Sequence, residues 1–107
     1  MKEKISAETR KKAHDLLEAC MNSSDAGNDA FFQYYGHVNS IDMEVHTGNY
    51  ENNIILKGYF YLTEENLYSK ENRPEAMAKI TSRLKEITTK KLKENEKIGR
   101  NDRTGNI

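Results

Sequence analysis

The clearest hydrophobic pattern in this chain lies between residues 31 and 62, where apolar and polar positions alternate. A period of two is typical of a β-strand with one buried and one exposed face. Residues 41–46 and 54–62 keep this period, and the turn-rich sequence between them predicts a reversal of the chain. The inward positions of these two strands are predicted to be Ile41, Met43, Val45, Ile54, Leu56, Gly58, Phe60 and Leu62.

The residues just before position 41 break the alternation. Phe32 and Tyr34 have even numbers whereas Ile41 has an odd one, so a strict period of two cannot bury both sets. Either a bulge near Asn39–Ser40 bends one continuous strand, or a turn at Gly36–His37 divides it into two strands. We favour the bent continuous strand, with a three-stranded meander as the alternative.

Helical spacing flanks the strands on both sides. Ser6 can cap a helix predicted for residues 7–21. A second helix is predicted for residues 74–95, with Asn72 as its cap and Pro74 in its first turn. The stripe of this second helix consists of Met77, Ile80, Leu84 and Ile87. A further helical turn is predicted to start at Thr63 and to contain Leu67 and Tyr68.

These elements predict an α+β fold of the order α-β-β-α or, with the divided strand, α-β-β-β-α. It is an antiparallel hairpin or meander between an N-terminal and a C-terminal helix. The apolar stripe stops before Lys91, and residues 99–107 carry no pattern. We therefore expect one domain over residues 1–96 and a flexible tail over residues 97–107.

The composition narrows the class of protein. Seventeen basic residues balance 17 acidic ones, so the chain has no net positive charge that would attract nucleic acid. Residues 85–107 carry seven basic and four acidic residues. Because these charges are interleaved, they predict a helix end that is exposed to solvent. The single cysteine, Cys20, lies among apolar neighbours and is predicted to be a core residue in a reducing compartment. With no signal peptide or membrane span in the pattern, we expect a cytoplasmic protein.

The aromatic residues concentrate on the predicted strands. All three Phe and five of the six Tyr lie between residues 31 and 62. Tyrosine at half-exposed strand positions commonly mediates recognition, although two helices covering both faces of the sheet would also bury it. Two or three strands leave open edges and a thin core, so we expect a homodimer that continues the sheet or packs the outer aromatics together.

One constellation could carry chemistry. Asp42, Glu44 and His46 share a strand face, and with His37 they could hold a metal ion or act as acid and base. However, side chains two apart on a strand stand about 7 Å apart, which is too far for three neighbouring ligands. Alternating charge is also typical of any solvated strand face. We therefore predict no metal, no cofactor and no catalytic residue.

The run from Phe31 to Val45, in which an aromatic strand leads into Gly36-His37-Val38, resembles a segment of small uncharacterised phage and prophage proteins of Gram-positive and gut bacteria. The relatives carry a Gly-Trp in the following turn, where this chain has Gly48-Asn49. The resemblance implies no activity. It implies a small accessory protein of a mobile element, acting in the host cytoplasm by binding a host protein or by sequestering a small signal.

We therefore predict a non-enzymatic binding protein that acts by protein–protein interaction, as a phage accessory or counter-defence protein. The alternative is a protein that sequesters a small ligand or nucleotide in a dimer cleft. A metal-dependent enzyme ranks third. The candidate binding residues are Tyr34, Tyr35, His37, Asn39, Tyr59 and Tyr61.

Overall fold

The computed structural model describes residues 4–48, 53–63 and 70–105. The predicted α+β order α-β-β-β-α is confirmed. The elements are helix α1 (Ala7–Asp25), strands β1 (Asp29–Tyr35), β2 (Ser40–His46) and β3 (Ile54–Tyr61), a short 3₁₀ helix (Lys70–Asn72) and helix α2 (Ala76–Gly105). The helical turn predicted after Thr63 lies outside the described residues.

A tight turn divides the aromatic stretch, so the bent continuous strand that we favoured does not form. The Val38 amide donates to the Tyr35 carbonyl at 3.3 Å, and Asn39 adopts a left-handed backbone with φ 48°. Asparagine tolerates this conformation better than most residues do. The chain therefore reverses over residues 36–39, and β1 pairs with β2 as a separate antiparallel strand.

The turn also resolves the conflict between even and odd positions. In the register of the sheet, Phe32 lies opposite Met43, and Tyr34 lies opposite Ile41. Even positions of β1 thus share a face with odd positions of β2, and those in turn pair with even positions of β3, as Ile41 does with Phe60. One face of the three-stranded sheet, in the order β1-β2-β3, therefore collects the inward positions of the strands. Ile54 is the exception: the register shift between Val45 and His46 places it opposite His46, and it is 53% exposed, so its predicted inward position is wrong.

Both helices pack against that one face. The core contains residues of α1, β2, β3 and α2, while Phe32 and Ala30 of β1 pack against it in part. The most deeply buried large side chains are Phe60, Leu16, Ile41, Met43, Met77, Leu84 and Val45. Residues 4–48, 53–63 and 70–105 therefore form two layers with one apolar interface between them.

Helix α1 begins as predicted and ends later. Ser6 accepts a hydrogen bond from the Thr9 amide at 3.1 Å, as an N-cap should. The helix continues to Asp25, so the turn-forming residues after position 21 belong to its last turn. Buried Ser23 accepts a hydrogen bond from the Asn28 side chain at 3.0 Å, and Gly27, with φ 110°, ends the helix.

Helix α2 runs to Gly105, ten residues beyond its predicted end. Its stripe packs as predicted up to Ile87, and Leu84 is fully buried. Further along, the Asn95 side chain donates to the Ala26 carbonyl at 2.6 Å, which fixes α2 against the end of α1. Asn72 lies in the 3₁₀ helix, where its side chain donates to the Tyr59 carbonyl of β3 at 2.7 Å.

Gly58 makes room for the largest core residue. A Cβ atom at position 58 would lie 2.7 Å from the Phe60 ring, which is closer than real Cβ contacts allow. Because the Phe60 ring is only 1% exposed, it has no free space into which to turn. The absence of a side chain at Gly58 thus permits the aromatic packing beside Met43.

We expect Phe60→Ala to reduce the free energy of unfolding by about 3–5 kcal/mol, because it leaves a cavity in the apolar layer between the sheet and the helices. Urea denaturation followed by circular dichroism measures this loss. Leu92→Ala is the control, since Leu92 is 53% exposed and its truncation should change stability by less than about 0.5 kcal/mol. Equal losses for the two variants would contradict this core.

Removal of residues 97–107 should leave the melting temperature unchanged. The Asn95 side chain anchors α2 to the Ala26 carbonyl, and the sequence of residues 97–107 carries no apolar stripe. Thermal melts of the full and shortened chains provide the comparison. A substantial drop in melting temperature on truncation would show that this segment docks on the domain.

Candidate interaction surface

The sheet face opposite the helices forms the candidate interaction surface, which we call the outer face. Its side chains are those in register with one another on the three strands and directed away from the core. They are Phe31, Gln33, Tyr35, Ser40, Asp42, Glu44, His46, Lys57, Tyr59 and Tyr61. Among the described residues, both α-helices contribute their core side chains to the other face.

Three tyrosines gather at one end of the outer face. Ser40 lies opposite both Tyr35 and Tyr61 in the register of the sheet. The Tyr59 and Tyr61 rings meet edge to face with centroids 5.3 Å apart. Ser40 Oγ lies 2.8 Å from the Tyr59 hydroxyl, and Ser40 is fully buried. We call Tyr35, Tyr59 and Tyr61 the tyrosine cluster; each ring is half-buried, so each keeps an accessible edge.

Phe31 and His46 occupy the other end of the outer face. Phe31 is 56% exposed, and its ring meets the His46 imidazole edge to face at 5.2 Å. His46 Nε2 donates to Glu44 Oε2 at 2.9 Å, so the carboxylate fixes the ring orientation. His46 Nδ1 is buried and has no hydrogen-bond partner within the part of the chain that the structure describes. Because Glu44 holds the imidazole, the imidazole can hold the Phe31 ring that packs against it.

The structure places the predicted binding residues in three different locations. Tyr35, Tyr59 and Tyr61 come together in the tyrosine cluster. Tyr34 lies on the helix side of β1 instead, where it is 51% exposed and its hydroxyl donates to Asn39 Oδ1 at 3.1 Å.

The other two predicted residues lie in the turn between β1 and β2. Asn39 is buried, and its carbonyl accepts a hydrogen bond from the Leu62 amide at 2.8 Å. It thus holds the turn against the end of β3. His37 is exposed in the same turn. Neither residue lies on the outer face.

A small cleft lies between α1 and β1. Its volume is about 240 Å³, and its lining includes Leu17, Phe32 and Tyr34, with Arg10 and His14 of α1. Sites for drug-sized ligands usually measure about 300–1,000 Å³. The cleft is therefore small for a nucleotide, although its apolar lining could accept a single side chain.

Most of the described side chains that could act in catalysis or bind a metal ion have structural roles. Cys20 is a core residue as predicted, and its burial raises the pKa of the thiol to about 11. Of the Asp42, Glu44 and His46 row, only Glu44 and His46 meet. Over residues 4–48, 53–63 and 70–97, no three metal-binding side chains converge. No described helix is long and apolar enough to cross a membrane.

Sequence reasoning missed two features of the outer face. Phe31 follows from the register once β1 is a separate strand, because it then lies opposite Glu44. Ser40 could not have been found, since a serine that follows Asn39 at the end of a turn gives no sign that tyrosines will cover it.

Comparisons of the chain with protein-family models, with curated proteins and with solved structures each gave no match. The fold and the outer face described above therefore provide the basis for a functional argument, and the resemblance to phage proteins remains an expectation.

Tyr59→Phe should lower the free energy of unfolding by about 1 kcal/mol, because the buried Ser40 hydroxyl loses its partner while the ring remains. Chemical denaturation measures the loss. Tyr35→Phe serves as the control within the same cluster and should change stability by less than about 0.5 kcal/mol. If Tyr59→Phe proved neutral, the Ser40–Tyr59 contact would contribute nothing to the tyrosine cluster.

Proposed function

We propose that the chain is a non-enzymatic binding protein that contacts another protein through its outer face. The observation that carries the proposal is the tyrosine cluster on a sheet face that the α-helices leave open. Half-exposed tyrosines provide a large contact area at low entropic cost, and their hydroxyls can bond across an interface. Exposed Phe31, held by His46 at the other end, extends the apolar area across the face.

The charge of the outer face favours a protein over a nucleic acid as partner. Asp42 and Glu44 lie in its middle, and Lys57 is the cation paired with Glu44 in the register. Carboxylates in the centre of a sheet repel a phosphate backbone, even where tyrosines could stack bases. A protein surface with basic or polar groups around an apolar centre fits this arrangement better.

The resemblance of residues 31–45 to phage and prophage proteins suggests what that partner is. On this proposal the chain is an accessory or counter-defence protein of a mobile element. It acts in the cytoplasm of the host cell, where it binds a host protein, and it works as a homodimer. This part of the proposal rests on the resemblance and on the open sheet.

The alternative of a protein that sequesters a small ligand has two cavities in its favour. The cleft between α1 and β1, of about 240 Å³, is below the usual volume range for such sites. A depression of about 490 Å³ beside Tyr59 is within that range, but the carboxylates of Asp42 and Glu44 line it, which disfavours a nucleotide phosphate. Of the residues proposed for ligand contact, Asn39 is buried and bonded within its turn. Protein binding is therefore the better supported function.

The test begins with the capture of a partner from bacterial lysate on the immobilised chain, and then measures affinity with the purified partner. Tyr59→Ala with Tyr61→Ala should weaken binding at least about tenfold, equivalent to about 1.4 kcal/mol. Circular dichroism must show that the double variant remains folded.

Leu92→Ala is the control, because it removes an exposed apolar side chain from α2, outside both the outer face and the β1 edge. It should leave affinity within about twofold, a difference of about 0.4 kcal/mol. If the Tyr59/Tyr61 double variant bound as tightly as the wild type, or if Leu92→Ala had the larger effect, the outer face would not be the contact surface.

A further inference from the structure

The two edges of the sheet differ in how they are protected. At β3, the 3₁₀ helix Lys70–Asn72 lies against the strand, and the Asn72 side chain donates to the Tyr59 carbonyl at 2.7 Å. β3 also carries the exposed Lys57, and its register with β2 shifts beside His46. Covering segments, lysines and irregular register are the usual devices that prevent a strand from pairing with another chain.

Strand β1 has none of these devices over its described length. It runs for seven residues as DAFFQYY, in unbroken register with β2, without lysine or proline. Its one charged residue, Asp29, stands at its first position. Among the described residues no strand lies on its outer side. A regular strand with one unpaired edge is a template for a further strand.

Apolar side chains flank this edge in both layers. On the helix side, Leu17 and Met21, one helical turn apart on α1, are 38% and 55% exposed, and Tyr34 is 51% exposed. On the outer face, Phe31 is 56% exposed. These are four of the seven large hydrophobic side chains found exposed in the described residues. Their position beside one strand marks the β1 edge as an interface.

The sequence of β1 is compatible with a second copy of itself. Antiparallel pairing of all seven residues is centred on Phe32, which places Asp29 opposite Tyr35 and Phe31 opposite Gln33 of the other copy. No like charges then face each other, and the Tyr35 hydroxyl can reach a carboxylate. The chain has a net charge of zero, so two copies do not repel each other.

We propose that the protein forms a symmetric homodimer in which β1 pairs antiparallel with β1 of a second copy, making one six-stranded sheet. The pairing satisfies the free backbone groups of both edges and brings Leu17 and Met21 of the two α1 helices towards each other. Both outer faces lie on the same side of the sheet. Phe31 and Gln33 of each copy therefore stand at the centre of one continuous surface.

The dimer deepens the proposed function, because a partner would contact residues of both copies. The argument for the dimer itself depends on the β1 edge and not on any partner. Cross-linking tests it directly. In Gln33→Cys, the thiols of the two copies are diagonal neighbours about 7–8 Å apart. In the matched variant Lys57→Cys, five strand spacings separate them by about 24 Å.

A short bis-maleimide should therefore join Gln33→Cys chains into covalent dimers and leave Lys57→Cys chains single. The wild type controls for Cys20, which is buried. Equal cross-linking of the two variants, or none in Gln33→Cys, would overturn the β1 pairing.

Light scattering supplies a second measurement. The wild type should have twice the 12.4 kDa chain mass, Met21→Glu should shift towards the single-chain mass, and Leu92→Glu, at a similarly exposed site, should not. A single-chain mass for the wild type at micromolar concentration would overturn the dimer. If the Tyr59/Tyr61 double variant still lost affinity for a partner under that condition, the proposed contact through the outer face would stand, and only the homodimer would be lost.

Discussion

The packing of both helices on one face of a three-stranded sheet determines the rest of this structure. It creates an apolar layer in which Leu16, Met43, Phe60 and Leu84 are almost completely buried. A chain of 107 residues has little stability to spare, which is why the space left by Gly58 for the Phe60 ring matters. Neither α1 nor α2 covers the opposite face of the sheet over the residues that the structure describes.

The uncovered face is not simply a solvated one. A sheet that faces only water usually shows charged and small polar residues, whereas this one has a tyrosine cluster at one end and Phe31 at the other. Ser40 beneath the tyrosines and Glu44 behind His46 hold the aromatic rings in place. Because fixed rings lose little entropy on binding, this is an economical design for recognition. The β3 edge is protected whereas the β1 edge is regular, and this difference favours pairing of a second copy at β1.

Much of this fold could be predicted from the hydrophobic pattern, and the failures have clear physical causes. Alternation placed the inward residues of β2 and β3 correctly except for Ile54, because one buried face imposes a period of two until the register shift beside His46 interrupts it. The favoured continuous strand across residues 36–39 is wrong, since an Asn in a left-handed turn is not distinguishable by pattern from a bulge. Helix α1 ended later than expected because Ser23 found a buried partner in Asn28. Of the site, the tyrosines of β3 were predicted, but Tyr34 lies on the helix side because the register of β1 depends on that turn.

The central claim is that the helices cover one face of the sheet and leave the other accessible. Nuclear magnetic resonance with a soluble paramagnetic agent tests it, because the agent broadens only the signals of side chains that it can approach. We predict strong broadening for Gln33, Glu44 and Lys57 and for the ring edges of the tyrosine cluster, with Met43 and Phe60 unaffected. If the outer-face signals were as well protected as those of Phe60, the outer face would be buried, and the account of this surface as a contact site would be wrong.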